Sequence, residues 1–211
     1  MVWFNDLSQC DVVYGICVQR EEKKITVVFR GTANAHNWSM NFKFDTNEYR
    51  NPVKVDYPGR EDELSLHSGF ALYLLRKRKD TGISKMDEIF EKIEKVGQEL
   101  APDGDYNLCI TGHSLGGALA TLCGFYCGAK PRFAHLSTIY IWTFAAPRVG
   151  TKGKRSISAH FFYYTGCCFD LFRLTPHVQL VIACFDISLY SCLPTLGKDW
   201  KNSSCPIFVH Q

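Results

Sequence analysis

Residues 106–127 constrain most what this chain can become. Tyr106-Asn107-Leu108-Cys109-Ile110-Thr111 has the short apolar character of a buried strand. Ala118 to Cys127 carries the alanine, leucine and cysteine of a helix that packs closely, and between the two stands Gly112-His113-Ser114-Leu115-Gly116. A strand that turns into a helix through G-x-S-x-G makes a sharp elbow. Its glycines flank the serine because a Cβ there would collide with neighbouring backbone, and the turn lifts the serine into the open. The N–H of Leu115 and the start of the following helix then face the place where a tetrahedral oxyanion forms. One turn thus offers a nucleophile, Ser114, and one charge-stabilising donor, Leu115. The competing reading is a glycine-rich turn in which Ser114 merely caps the helix.

The rest of the chain supplies a sheet for such an elbow. Val12 to Val18 and Ile25 to Arg30, separated by the charged turn Gln19 to Lys24, read as two antiparallel strands. Phe70 to Arg78 and Met86 to Leu100 read as helices, the second with Ile89, Ile93, Val96 and Leu100 on one face. Ile139 to Phe144 is a further buried strand, and Asn51 to Glu63 is loop-like. Strand and helix alternate, which predicts an α/β fold with a mostly parallel central sheet flanked by helices and antiparallel strands at its start. With 211 residues, 46% of them hydrophobic, the chain can bury one sizeable core.

Four segments, taken in order, resemble the class 3 (fungal-type) lipase family of the α/β hydrolases. They are Val27 to Thr32 followed by Asn37-Trp38; His67-Ser68-Gly69-Phe70; the elbow Gly112 to Ala120; and Thr143-Phe144-Ala145-Ala146-Pro147-Arg148-Val149-Gly150. The match spans about residues 11–150, so 1–150 is expected to form the hydrolase core and 151–211 a divergent tail. The resemblance implies hydrolysis of acyl esters of glycerolipids, with a lipid or other acyl ester substrate met at a membrane or droplet surface and no cofactor. It assigns Thr32 as the second oxyanion donor and Ala33 to Asp45 as a lid, in which Trp38 either packs or meets lipid. His67 is structural in this pattern, and His113 points away from the substrate side by the geometry of the turn and is likewise read as structural.

Ser114 further needs a histidine to take its proton and a carboxylate to fix that histidine's tautomer, in the chain order Ser, Asp or Glu, His. Beyond Ser114 stand only Asp170, Asp186 and Asp199, and beyond the first of these only His177 and His210. The pairs are therefore Asp170 with His177 or His210, and Asp186 or Asp199 with His210. Asp170, 56 residues after Ser114 (170 − 114), has the family's spacing, whereas Asp186 ahead of Leu193-Pro194 has more of its local character. Asp170 and His210 are the pair assigned here, with Asp186 and His177 as the alternatives. A chain lacking a competent pair would be a catalytically inactive lipase-fold protein that at most binds lipid or a partner.

The tail changes texture. Residues 113–211 hold nine Lys/Arg against three Asp/Glu, with five cysteines from Cys167 to Cys205, a pattern expected of a frameshift, a retained intron or a splice variant. Val178 to Leu196 is apolar enough to suggest a membrane segment, but Asp186 at its centre argues against a simple span. Met1 to Leu7 has neither a basic stretch nor a long apolar run, so a cytoplasmic location is expected unless the N-terminus continues upstream. Cys123 and Cys127, one helical turn apart, read as small buried residues rather than metal ligands, and no metal is assigned. The basic clusters Arg76 to Lys79 and Lys152 to Arg155 lack interleaved aromatics, which excludes a nucleic-acid-binding reading.

Overall fold

The computed structural model describes residues 3–5, 13–31, 45–54, 62–136, 138–150, 169–173 and 179–185. A seven-stranded sheet runs in the order β1 (Trp3–Asn5), β2 (Tyr14–Gln19), β3 (Lys24–Phe29), β6 (Asn107–His113), β7 (Thr138–Phe144), β9 (Gln179–Phe185) and β8 (Phe169–Arg173). The four central strands β3, β6, β7 and β9 are parallel, and β1, β2 and β8 add to the two edges antiparallel. β4 (Thr46–Arg50) and β5 (Glu63–His67) form a separate antiparallel pair.

The expected antiparallel pair is present as β2 and β3, from Tyr14 opposite Phe29 to Gln19 opposite Lys24. Lys23 closes their turn at a positive φ of 44°. Three helices follow, α1 (Ser68–Leu75), α2 (Lys85–Leu100) and α3 (Leu115–Gly128). α1 stops three residues before the expected Arg78, because Arg76 turns to an extended ψ of 125°. α2 begins where Ser84 accepts the Asp87 N–H at 3.1 Å. Its buried face is shifted from the expected stripe: Ile89, Phe90, Ile93 and Gly97 are fully covered, while Val96 and Leu100 are half-buried. Gly97 is required there because a Cβ would lie 2.7 Å from the Tyr106 ring.

Every residue of α3 from Gly116 to Gly128 is buried, as befits a helix that packs against β6 and β7 and against α1. Burial pushes the Cys109 thiol up to about 11 and the Cys123 and Cys127 thiols higher still, so these side chains act as small apolar residues. β4 and β5 flank the stretch Asn51 to Glu63 that the sequence marks as loop-like and overlap it only at Glu63; β4 gives no strand signal because Thr46-Asn47-Glu48-Tyr49-Arg50 lacks the apolar alternation of a half-buried strand. The sheet also continues past Gly150 through β8 and β9, on the far side of β7.

Candidate active site

The parallel strands deliver their C-terminal ends in one row. Phe29 of β3 pairs with Gly112 of β6, which pairs with Thr143 of β7, which pairs with Cys184 of β9. One residue on, His113, Phe144 and Phe185 are level, and Ser114 leaves the sheet from there. Ser114 adopts φ 57° and ψ −124°, a conformation that costs a residue with a Cβ about 1–3 kcal/mol. Its N–H donates to the Phe144 carbonyl at 2.8 Å, and its own carbonyl accepts from Gly117 at 2.9 Å and Ala118 at 3.2 Å. The end of β7 and the first turn of α3 therefore hold the strained residue from both sides.

Two glycines make this packing possible. A Cβ on Gly112 would run into the carbonyl of Gly116, and one on Gly116 into the carbonyl of Phe29. Backbone thus meets backbone where strand, elbow and neighbouring strand converge. The half-buried Ser114 makes no side-chain capping bond to α3, so its geometry differs from that of a cap serine. Leu115 is the first helical residue, and its N–H has no acceptor within the helix, at the end where the helix dipole is positive.

The remaining motif segments buttress the elbow. A Cβ on Gly31 would sit 2.9 Å from the His113 carbonyl, so the chain leaving β3 passes directly against the elbow. Thr32, the next residue, lies outside the described residues, as do the lid segment up to residue 44 and Trp38. His67 is buried; its Nδ1 accepts the Gly69 N–H at 3.2 Å and its ring stacks on Phe70 at 4.3 Å. Its N–H donates to the Val149 carbonyl at 2.9 Å, which ties two of the motif segments together. Burial lowers the His67 pKa, consistent with the structural role that the family pattern implies. Ala145 has a second positive φ, 48°, directly after the carbonyl that holds Ser114. That pairing was not evident from the sequence, although the Thr143 to Gly150 motif marks the place.

Of the assigned site residues, Ser114 and Leu115 stand together at the elbow. Asp170 lies in the outer strand β8, level with Ile182, Ile141 and Ile110 in turn. Ile110 is four residues before Ser114, which puts the Asp170 backbone roughly 13 Å down the sheet and about 14 Å across it. The register does not bring Asp170 beside Ser114. His210, His177 and Asp186 lie outside the described residues; Asp186 is the residue that follows Phe185, where β9 ends level with the elbow. Among the described residues, no three His, Cys, Asp or Glu side chains gather as metal ligands, and no helix is long and apolar enough to cross a membrane.

An elbow of this geometry at the C-terminal edge of a central parallel sheet defines an α/β hydrolase fold. The profile of the class 3 lipases, "Lipase (class 3)", matches residues 26–174, and the chain belongs to that family. It is similar to phospholipase A(1) DAD1, chloroplastic, of Arabidopsis thaliana, with 28% identity over 74% of this chain and 35% of the relative. The lipase of Rhizomucor miehei is 29% identical over 61% of this chain and 30% of the relative. The chain thus spans about a third of the length of these relatives. Among solved structures, the Rhizomucor miehei triacylglyceride lipase superposes with a TM-score of 0.51 at 26% identity, over 71% of this chain and 49% of the other. A triacylglycerol lipase of Penicillium expansum gives 0.52 at 18% identity, over 72% and 52%, a likeness of fold alone. The family match runs 24 residues past Gly150 (174 − 150) and takes in β8.

Proposed function

We propose that this chain is a serine-dependent hydrolase of acyl esters of glycerolipids, working through an acyl-enzyme on Ser114. Ser114 Oγ attacks the acyl carbonyl carbon while a histidine takes its proton, and the tetrahedral oxyanion is received by the N–H of Leu115 and by Thr32. Collapse expels the alcohol, protonated by the same histidine, and water then releases the fatty acid by the reverse sequence. No metal or cofactor enters this scheme. The observation that carries the reading is the Ser114 conformation: a strained serine, not engaged in capping, at the N-terminus of a buried helix, in a chain of the class 3 lipase family. Phospholipase A(1) and triacylglyceride lipase among the relatives support glycerolipids as the substrate class.

Asp170 and His210 are the relay pair taken from the sequence, and Asp186 is the competing acid, supported by the end of β9 at the elbow's level. The placement of Asp170 on the outer strand favours one second reading, in which the lipase core lacks a competent relay and binds lipid or a partner without turnover. The test is covalent labelling by a fluorophosphonate ester probe. The intact chain is compared with Ser114→Ala, Asp170→Asn, Asp186→Asn, His177→Ala and His210→Ala. Labelling that vanishes in Ser114→Ala, and falls in one acid and one histidine variant, identifies the triad. A folded chain that takes no label overturns the hydrolase reading in favour of the inactive one.

A further inference from the structure

A surface that the ester-hydrolysis reading leaves unused lies at the end of α1 and in the loop to α2. Leu72 and Tyr73 face solvent there with 49% and 44% of their surface exposed, and Ile83 with 37%. Beside them Arg76, Lys77 and Lys79 are exposed and, among the described residues, form no ion pair. Residues 72–85 hold five Lys/Arg against a single acid, Asp80, which accepts the Thr81 N–H at 2.9 Å. The loop is shaped: Arg78 N–H donates to the Ile83 carbonyl at 3.1 Å, Gly82 N–H to the Arg78 carbonyl at 2.9 Å, and Lys77 bridges to Ser84.

Its position follows from a chain of contacts. The Arg78 guanidinium meets Glu88 at 3.1 Å, Glu88 accepts the Tyr14 hydroxyl at 2.8 Å, and Tyr14 is level with Phe29 and Gly112. The loop is thus anchored to the end of the sheet that carries Ser114. Exposed apolar side chains on either side of unpaired cations are what an interface between water and anionic lipid selects: the first enter the headgroup boundary, the second meet its charge. We propose that Leu72, Tyr73, Arg76, Lys77, Lys79 and Ile83 form a docking surface for a lipid interface bearing anionic head groups. Docking of this kind needs no nucleophile and stands apart from the hydrolytic reading.

The test is co-sedimentation of the full chain with phosphatidylcholine vesicles, with or without phosphatidylserine. The chain is expected to bind the vesicles that contain phosphatidylserine and to be released as salt is raised. Arg76→Gln, Lys77→Gln and Lys79→Gln together weaken that binding about a hundredfold. Leu72→Ser with Tyr73→Ser weakens it about tenfold without removing its salt dependence. Circular dichroism checks that the variants, all at exposed positions, stay folded. Equal binding to vesicles without phosphatidylserine, binding untouched by the triple substitution, capture by soluble heparin with no vesicle binding, or no binding at all overturns the inference. Fluorophosphonate labelling of the same preparations reports on Ser114 separately, so either reading can fail while the other stands.

Discussion

The elbow and the start of α2 are held by opposite means. At the elbow, order comes from missing side chains: Gly112, Gly116 and the Phe29 carbonyl touch backbone to backbone, and the Ser114 N–H ends on the Phe144 carbonyl. At the start of α2, order comes from charge. Glu88 accepts from Lys92 at 3.0 Å, Lys85 at 3.0 Å, Arg78 at 3.1 Å and Tyr14 at 2.8 Å, and the Lys85 side chain is only 4% exposed. Burial by itself would raise the Glu88 carboxyl, but hydrogen bonds from Lys92, Lys85 and Tyr14 outweigh it and hold the group at about 2. The contrast teaches that a chemically poised residue can be fixed by sterics that salt and pH do not reach, while a neighbouring hub on the same end of the sheet responds to both.

Five variants break or sharpen that contrast. The largest effect belongs to Ser114→Ala, which is expected to lower ester hydrolysis by about 10⁴-fold or more in a steady-state assay. Ser114→Gly, equally inactive, raises stability by about 1–2 kcal/mol in urea unfolding, because glycine carries no Cβ at φ 57°. Next comes Gly116→Ala, whose Cβ meets the Phe29 carbonyl and costs about 3–5 kcal/mol in the same unfolding measurement, with no dependence on salt. A neutral result there would mean that the elbow yields, contrary to the packing described.

Glu88→Gln is expected to cost about 2–4 kcal/mol at neutral pH, since it takes a carboxylate from the buried Lys85 ammonium and from Lys92 and Arg78. The pH profile carries the same signature. Glu88 is held at about 2 in the folded chain against an ordinary 4.5, so its contribution is present above pH 4.5 and is lost as the pH falls from there through 2. Unfolding curves across that window should be steeper for the natural chain than for Glu88→Gln. His67 gives the smallest effect. Burial lowers its pKa from 6.5, so stability is full above that value and declines as the pH drops below it. His67→Asn, which keeps an acceptor for the Gly69 N–H, should flatten that shallow slope and leave labelling of Ser114 intact.

What the sequence conveyed depended on how local its signal was. The elbow was readable because the residues it demands, Gly112, Ser114 and Gly116, stand within a few positions of one another even though Phe29 and Phe144 complete its packing, and the β2–β3 hairpin because its turn and its β-branched runs adjoin. α2 was readable as amphipathic, but nothing in its sequence marks its charged start as a packed cluster. The cluster around Glu88 joins local Lys85 and Lys92 to Arg78 and to Tyr14, 74 residues upstream, a contact that no local pattern shows. The β9 run Leu180-Val181-Ile182-Ala183-Cys184-Phe185 is apolar on both faces, which fits a buried parallel strand as well as it fits a stretch of membrane; only its pairing with β7 decides. The relay partners of Ser114 stayed open for a related reason: a triad is assembled by topology, and here the family's spacing points to Asp170 while its local character points to Asp186.

Phe29, level with Gly112, and Phe144 and Phe185, level with His113, end three parallel strands at one edge of the sheet, which has a bearing on how such a chain diversifies. All three strands end at the edge that carries Ser114, while Asn107 and Thr138 begin their strands at the opposite edge. Exchanging what leaves the first edge re-shapes what the serine meets, provided that Ala145 to Val149, which packs on Gly117 and into the core, is kept. Changes at the opposite edge are silent to it. A library confined to the residues after Phe29 and Phe185 would therefore sample new acyl and alcohol preferences at constant scaffold.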